Sequence, residues 1–224
     1  MDRYFMPKHV HFCRRGDAFV FLDLRKDEYT LIDGPGAAAL QLLSESDSNL
    51  PNHSALNELL QDGLLTRENK DSGGSITATT IDIALEQLVD HESPVARINP
   101  AHLMRFILAC TVAAANLRWR HIEDVVNSVQ RRKLREMRPQ RPMTEARDLT
   151  SVFHRLRSFF PRDYLCLYDS LALIEFLAAY RIFPTWVFGV RLEPWAAHCW
   201  VQEGKFTFNE GIEEAAGYTP IMAI

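Results

Sequence analysis

Residues 166–210 read CLYDSLALIEFLAAYRIFPTWVFGVRLEPWAAHCWVQEGKFTFNE. From Cys166 through Ile182 the run is predominantly apolar and free of glycine and proline, the pattern of a buried helix that begins at or just before Cys166. Pro184–Leu192 then alternates as a strand. Ala197–Gln202 forms a second, and Lys205–Asn209 a third after the Glu203-Gly204 turn. Helix, strand, strand, strand predicts an α+β arrangement for the last third of the chain.

Upstream, Pro100 opens a long helix, AHLMRFILACTVAAANLRWR, followed by HIEDVVNSVQRRKLREM and a further helix from about Thr144 to Phe160. The stretch from Glu68 to Thr80 is rich in Gly, Ser and Thr, the composition of a connector. Ile81–Val89 reads as one weak helix or strand, and His91-Glu92-Ser93-Pro94 as loop. Ahead of the connector, His9–Asp33 gives three short antiparallel strands with Phe19, Phe21 and Tyr29 on them. Gly34-Pro35-Gly36 breaks that pattern. Two short helices follow, AAALQLLSES and SALNELLQDG, the second closed by Gly63, and then a third apolar element, Leu64-Leu65-Thr66. Strands and then short helices in this space resemble a winged helix-turn-helix, a fold that hosts both DNA and peptide binders. The expected organisation is a winged-helix domain over 1–67, a linker over 68–97 and a second domain over 98–224.

The 224 residues are 47% hydrophobic and 24% charged, enough apolar surface for globular domains. Lys and Arg total 25 against 29 for Asp and Glu, a net charge of -4 that offers no general attraction to nucleic acid or anionic lipid. Residues 1–70 alone carry eight basic and eleven acidic side chains, which speaks against a winged-helix DNA-binding regulator. Between Leu117 and Arg141, by contrast, eight basic residues face three acidic ones; this reads as a solvated helix face, with a docking surface for an acidic partner as the second reading. Cys13, Cys110, Cys166 and Cys199 lie far apart without CxxC spacing, which predicts a reducing compartment and no structural zinc. The opening MDRYFMPK lacks the ~7–15 apolar residues of a secretory signal, so a cytoplasmic location is expected. Phe106–Ala115 falls short of the ~20 residues that span a bilayer and is expected to be a buried helix, with no membrane span.

A cysteine at the start of a helix has its thiolate stabilised by exposed amide N–H groups and by the helix dipole. Cys166 is placed that way. His198 on a following strand can take the thiol proton, and Asn209 or Glu210 beyond the next turn can orient the imidazole. The separations, 32 residues from Cys166 to His198 and 12 more to Glu210, suit a helix-turn-strand return followed by a hairpin. Set against this, a cysteine in an apolar helix is most often a core residue and a strand histidine most often only hydrogen-bonded. Cys199 alternates with His198 onto the other face of its strand and reads as packing, as do Cys13 and Cys110. No histidine has partners at metal-ligand spacing, so no metal site is expected.

These residues carry a resemblance. CLYDSLAL followed by FPTWVFGVRLEPWAAHCWVQEGKFTFNE is similar to the leader peptidase of lasso-peptide biosynthesis, a transglutaminase-like cysteine protease with a papain-like site. The matching elements are Cys166-Leu167, Gly189-Val190-Arg191, His198-Cys199-Trp200-Val201-Gln202 and Asn209-Glu210, in order, covering roughly Phe159–Ile224. The resemblance implies a catalytic set of Cys166, His198 and Glu210, with Asn209 as the alternative orienting residue, because the family's usual Asp is Glu210 here. It implies that the first 67 residues bind the leader of a ribosomally made precursor, with Phe19, Phe21 and Tyr29 as candidate contacts. It also implies an asparagine-synthetase-like macrocyclase as partner and no cofactor for proteolysis itself. Gln202 stands where the family has an acid and is expected at the strand surface. The Cys166 N–H is the expected oxyanion donor, with a side chain from Arg162 to Tyr164 as the second candidate. A non-catalytic leader-binding scaffold is the competing function.

Overall fold

The computed structural model describes residues 2–45, 49–50, 54–67, 78–89, 97–136 and 141–224. The chain divides into two compact units, Met1–Thr80 with Thr219–Met222, and Ile81–Tyr218 with Ala223–Ile224.

In the first unit, β1 (Asp2–Arg3) precedes the antiparallel meander of β2 (Val10–Arg15), β3 (Ala18–Asp23) and β4 (Glu28–Ile32), in the order β2-β3-β4. Gly16 takes φ +60° in the turn between β2 and β3, a conformation that costs a residue without Cβ nothing. α1 (Gly34–Glu45), β5 (Asn49–Leu50, paired with β1) and α2 (Ser54–Gln61) follow. Phe12 stacks on Phe21 and meets Phe19 at a tilt, and these rings pack with Leu40, Leu43 and Leu56 into one core. Phe19 and Phe21 are therefore buried, and of the three expected leader contacts only Tyr29 on β4 keeps any surface. Leu64 and Leu65 form no element: their amides fold back onto the Leu59 carbonyl after Gly63 at φ +75°. This unit is thus a three-stranded sheet with helices.

The expected connector lies outside the described residues over 68–77 and 90–96. Between these gaps, β6 (Glu86–Gln87) opens the secondary structure of the second unit. α3 (Pro100–Trp119) starts at Asn99, whose Oδ1 accepts the His102 N–H at 2.9 Å. α4 (Ile122–Arg135), α5 (Met143–Arg157) and α6 (Cys166–Ala178) complete a helical layer in which α3 packs on α6. The antiparallel hairpin of β7 (Thr185–Arg191) and β8 (Ala196–Glu203), then β9 (Phe206–Thr207), forms a sheet in the order β7-β8-β9-β6, with β6 parallel to β9. α7 (Ile212–Ala216) and β10 (Thr219–Ala223) end the chain, and Ile224 exchanges both backbone hydrogen bonds with Trp186.

The helix expected to be buried is buried on one face only. Phe106, Ala109, Cys110 and Ala113 point inward, while Met104, Ile107 and Leu108 are exposed, Met104 to 73%. Among the described residues α3 is also the one helix long and apolar enough to cross a membrane. The basic stretch is divided too. Arg132 grips Glu175 of α6 at 2.6 and 3.0 Å and Lys133 donates to Thr185 at 2.9 Å, so these two side chains fasten α4 to its neighbours, while Arg138 lies outside the described residues.

Candidate active site

α6 is buried almost all round from Tyr168 to Leu177, so its first residue, Cys166, marks where the helix emerges from the core. The cysteine is half-buried. Leu165 has no side chain able to cap the helix, so the first-turn amides carry no side-chain cap. β8 carries His198 toward the thiol. Its Nε2 meets Glu210 Oε2 at 2.6 Å, which leaves Nδ1 as the nitrogen for Cys166, with which it is hydrogen-bonded. Glu210 accommodates its extra methylene by turning Oε1 back onto the Gly211 N–H at 3.1 Å, and Thr207 pins its carbonyl at 2.7 Å.

Asn209 does not reach the imidazole. Its Oδ1 accepts the Val201 N–H at 2.8 Å, so the amide side chain completes the edge of β8. The reason lies in β9, which pairs with β8 only through Gln202 and Glu203. Beyond that point the β8 edge has no strand partner on that side among the described residues, and alternate amides are taken up by the site: Val201 by Asn209, and Cys199 by the Cys166 sulfur.

Cys199 is more than packing. Its buried thiol is hydrogen-bonded to Cys166 and lies 3.4 Å from Ser170 Oγ, which in turn donates to the Cys166 carbonyl at 2.6 Å and accepts from Trp186 Nε1 at 2.9 Å. Strand alternation separates the faces of Cys199 and His198 correctly. It fails to show that a helix terminus at the rim of the sheet meets both.

The electrostatics follow from these contacts. Hydrogen bonds from the Cys199 thiol and from His198, with the Cys199 amide and the imidazolium charge behind them, outweigh burial and pull the Cys166 thiol down to about 4. Burial opposes the charge on His198, but the hydrogen bonds to Cys166 and Glu210 and their charges prevail and raise it to about 9. Burial, and then the neighbouring Cys166, holds Cys199 well above the ordinary thiol value, so Cys199 keeps its proton and donates it. At neutral pH the site is a Cys166 thiolate facing a His198 imidazolium.

The remaining motif residues frame the histidine. A Cβ on Gly189, which pairs with His198 across the hairpin, would stand 2.9 Å from the Trp200 ring and 3.0 Å from Tyr218 Cβ. Those two rings flank the imidazole, with centroids 6.1 and 5.0 Å away, and Arg191 lies over Tyr218 at 4.9 Å. Gln202, expected at the surface, is 3% exposed: it accepts from Trp200 Nε1 and donates to the carbonyls of Asp82 and Gly204. An acid there would lose both donations. Of the second-choice oxyanion donors, Arg162 lies over the Tyr168 ring and the Tyr164 hydroxyl donates to the Asn209 carbonyl at 3.4 Å, which leaves the Cys166 N–H as the candidate. Among the described residues no cluster of three or more His, Cys, Asp or Glu side chains is arranged to hold a metal ion.

The family description "Transglutaminase-like superfamily" matches residues 104–223, which includes the whole Cys166–His198–Glu210 set. The chain belongs to the transglutaminase-like superfamily. No curated protein and no solved structure matches it. As a transglutaminase-like domain the second unit has a mixed α+β fold consistent with an enzyme, and its site holds the polarised thiol that cysteine-dependent acyl chemistry requires.

Proposed function

We propose that this protein is a cysteine-type peptidase that removes the leader from a ribosomally made precursor of the lasso-peptide kind. The observation that carries the chemistry is Cys166 at the open end of a buried helix, paired with His198, whose far nitrogen lies 2.6 Å from Glu210 Oε2; the shifts of both groups favour a thiolate facing an imidazolium. Cys166 Sγ attacks the scissile carbonyl, and the oxyanion forms beside the Cys166 N–H. His198 gives its Nδ1 proton to the leaving amine, which departs and leaves a thioester. The now neutral imidazole takes a proton from water, hydroxide attacks the thioester, and the acid product leaves as Cys166 returns to thiolate. Glu210 holds the ring in one orientation throughout.

Leader capture is assigned to the first unit, read as a winged-helix-like module. What supports this is β4, which among the described residues pairs only with β3 and so offers an open edge to an added strand. With Phe19 and Phe21 in the core, side-chain selection falls to β4 itself, where Leu31 is 51% exposed. The released core then passes to an asparagine-synthetase-like macrocyclase, which closes its new N-terminus.

The test is mass spectrometry of a precursor peptide incubated with the wild-type chain and with Cys166→Ala. The expected outcome is a single cut at the leader–core junction by the wild type and none by the variant. Cutting by Cys166→Ala removes the assignment.

A further inference from the structure

Arg157 and Asp169 are the most deeply buried ion pair among the described residues, with side chains 11% and 2% exposed. They sit at the two ends of the connection from α5 to the nucleophile: Arg157 is the last residue of α5 and Asp169 lies one turn into α6. Asp169 Oδ2 accepts the N–H of Leu165, the residue before Cys166, at 2.7 Å. The carboxylate thus fixes the residue that precedes the helix, without capping the first-turn amides themselves. The Arg157 guanidinium holds both carboxylate oxygens through Nε and Nη2. Its remaining hydrogens go to backbone carbonyls of the same connection, Nη1 to Arg162 at 3.0 Å and to Phe160 at 3.4 Å, and Nη2 to Asp163 at 3.0 Å. One planar group therefore ties three carbonyls and one carboxylate into a fixed shape, which an ammonium with its three swivelling donors does not do.

The electrostatics add a second consequence. A bare carboxylate in the first turn of α6 would oppose the negative charge that Cys166 carries in its active form. Arg157, in direct contact, cancels it.

We propose that Arg157 and Asp169 are a positioning pair for the nucleophile, fixing the backbone that delivers Cys166 to His198 while keeping the charge beneath the thiolate compensated. The proposal rests on Cys166 as nucleophile and is independent of which peptide is cleaved.

The test measures the rate of Cys166 alkylation by iodoacetamide against pH in the full-length chain, read from the mass of its own peptide, with thermal unfolding recorded alongside. No peptide substrate is involved, so failure of the leader-peptidase assignment leaves the result intact. Arg157→Gln leaves Asp169 uncompensated and is expected to move the midpoint of the profile upward, slowing alkylation about tenfold at pH values below it. The double variant Arg157→Met with Asp169→Leu replaces the pair by apolar side chains of similar bulk and leaves no uncompensated charge buried, the larger cost of breaking such a pair. It is expected to shift the midpoint in the same direction by about threefold in rate, because the connection loses its anchor. A folded variant, single or double, whose profile coincides with the wild type overturns the proposal, even if its unfolding temperature has dropped. If Arg157→Gln does not fold, the double variant decides.

Discussion

Cys166 and His198 hold opposite charges over a range bounded by the two shifted values, about 4 for the thiol and about 9 for the imidazole. The sign of the pH dependence follows. Below the lower value Cys166 is protonated and cannot attack; above the upper value His198 is neutral and cannot protonate the leaving amine. Single-turnover cleavage should therefore rise through about pH 4, hold a plateau and fall through about pH 9. Glu210 supports the charged histidine by hydrogen bond and charge, so Glu210→Gln should bring the alkaline limb downward and cost about 2–4 kcal/mol of transition-state stabilisation. An alkaline limb left in place by Glu210→Gln would show that the carboxylate does not tune His198. At this scale the sequence was informative: the helix start at Cys166 and the two spacings that follow it place three side chains in one chain of contacts. It left the choice between Asn209 and Glu210 open, because that choice depends on where β9 stops pairing with β8.

The hairpin of β7 and β8 shows why a glycine lies opposite the histidine. Gly189 makes room for the Trp200 ring, and Trp200 and Tyr218 form walls against the imidazole. Gly189→Ala must push either the indole or the strand away, since the added carbon meets ring atoms and a Cβ with little freedom to yield. The expected outcome is a loss of ~1–3 kcal/mol of stability together with a fall in cleavage rate, measured by chemical denaturation and by turnover of the same sample. Unchanged turnover in a folded Gly189→Ala would mean that the walls do not hold His198. Other elements were less legible. Periodicity showed the strands of the first unit but could not say that Phe19 and Phe21 face its core and not a ligand, since an aromatic strand residue serves either end. α7 and β6 are too short to leave a pattern, and Gln202 is polar yet buried because its partners, Asp82 among them, come from far along the chain.

Across the whole molecule, the proposed division of labour separates binding from chemistry. The leader is held by one unit and the junction is cut in the other, so leader affinity sets how much substrate is presented without altering the reacting groups. A short peptide that spans only the junction should lose about 100-fold or more in kcat/KM, chiefly through KM, while Cys166 alkylation stays unchanged. Leu31→Glu in the intact chain should reproduce that loss with the full precursor and have no effect on the short peptide. Equal kcat/KM for both substrates would remove the first unit from recognition. Arg157, Cys166, Asp169, His198, Cys199 and Glu210 all fall within one uninterrupted run of chain, from the end of α5 to the turn after β9. Such a site takes its reacting groups from one continuous stretch, while Tyr218 and Asp82 complete its surroundings from outside it. It is also portable: a reactive centre carried on a single continuous stretch can be joined to a different recognition unit upstream without being rebuilt, so new precursor preferences can arise by exchange of modules while the chemistry stays the same.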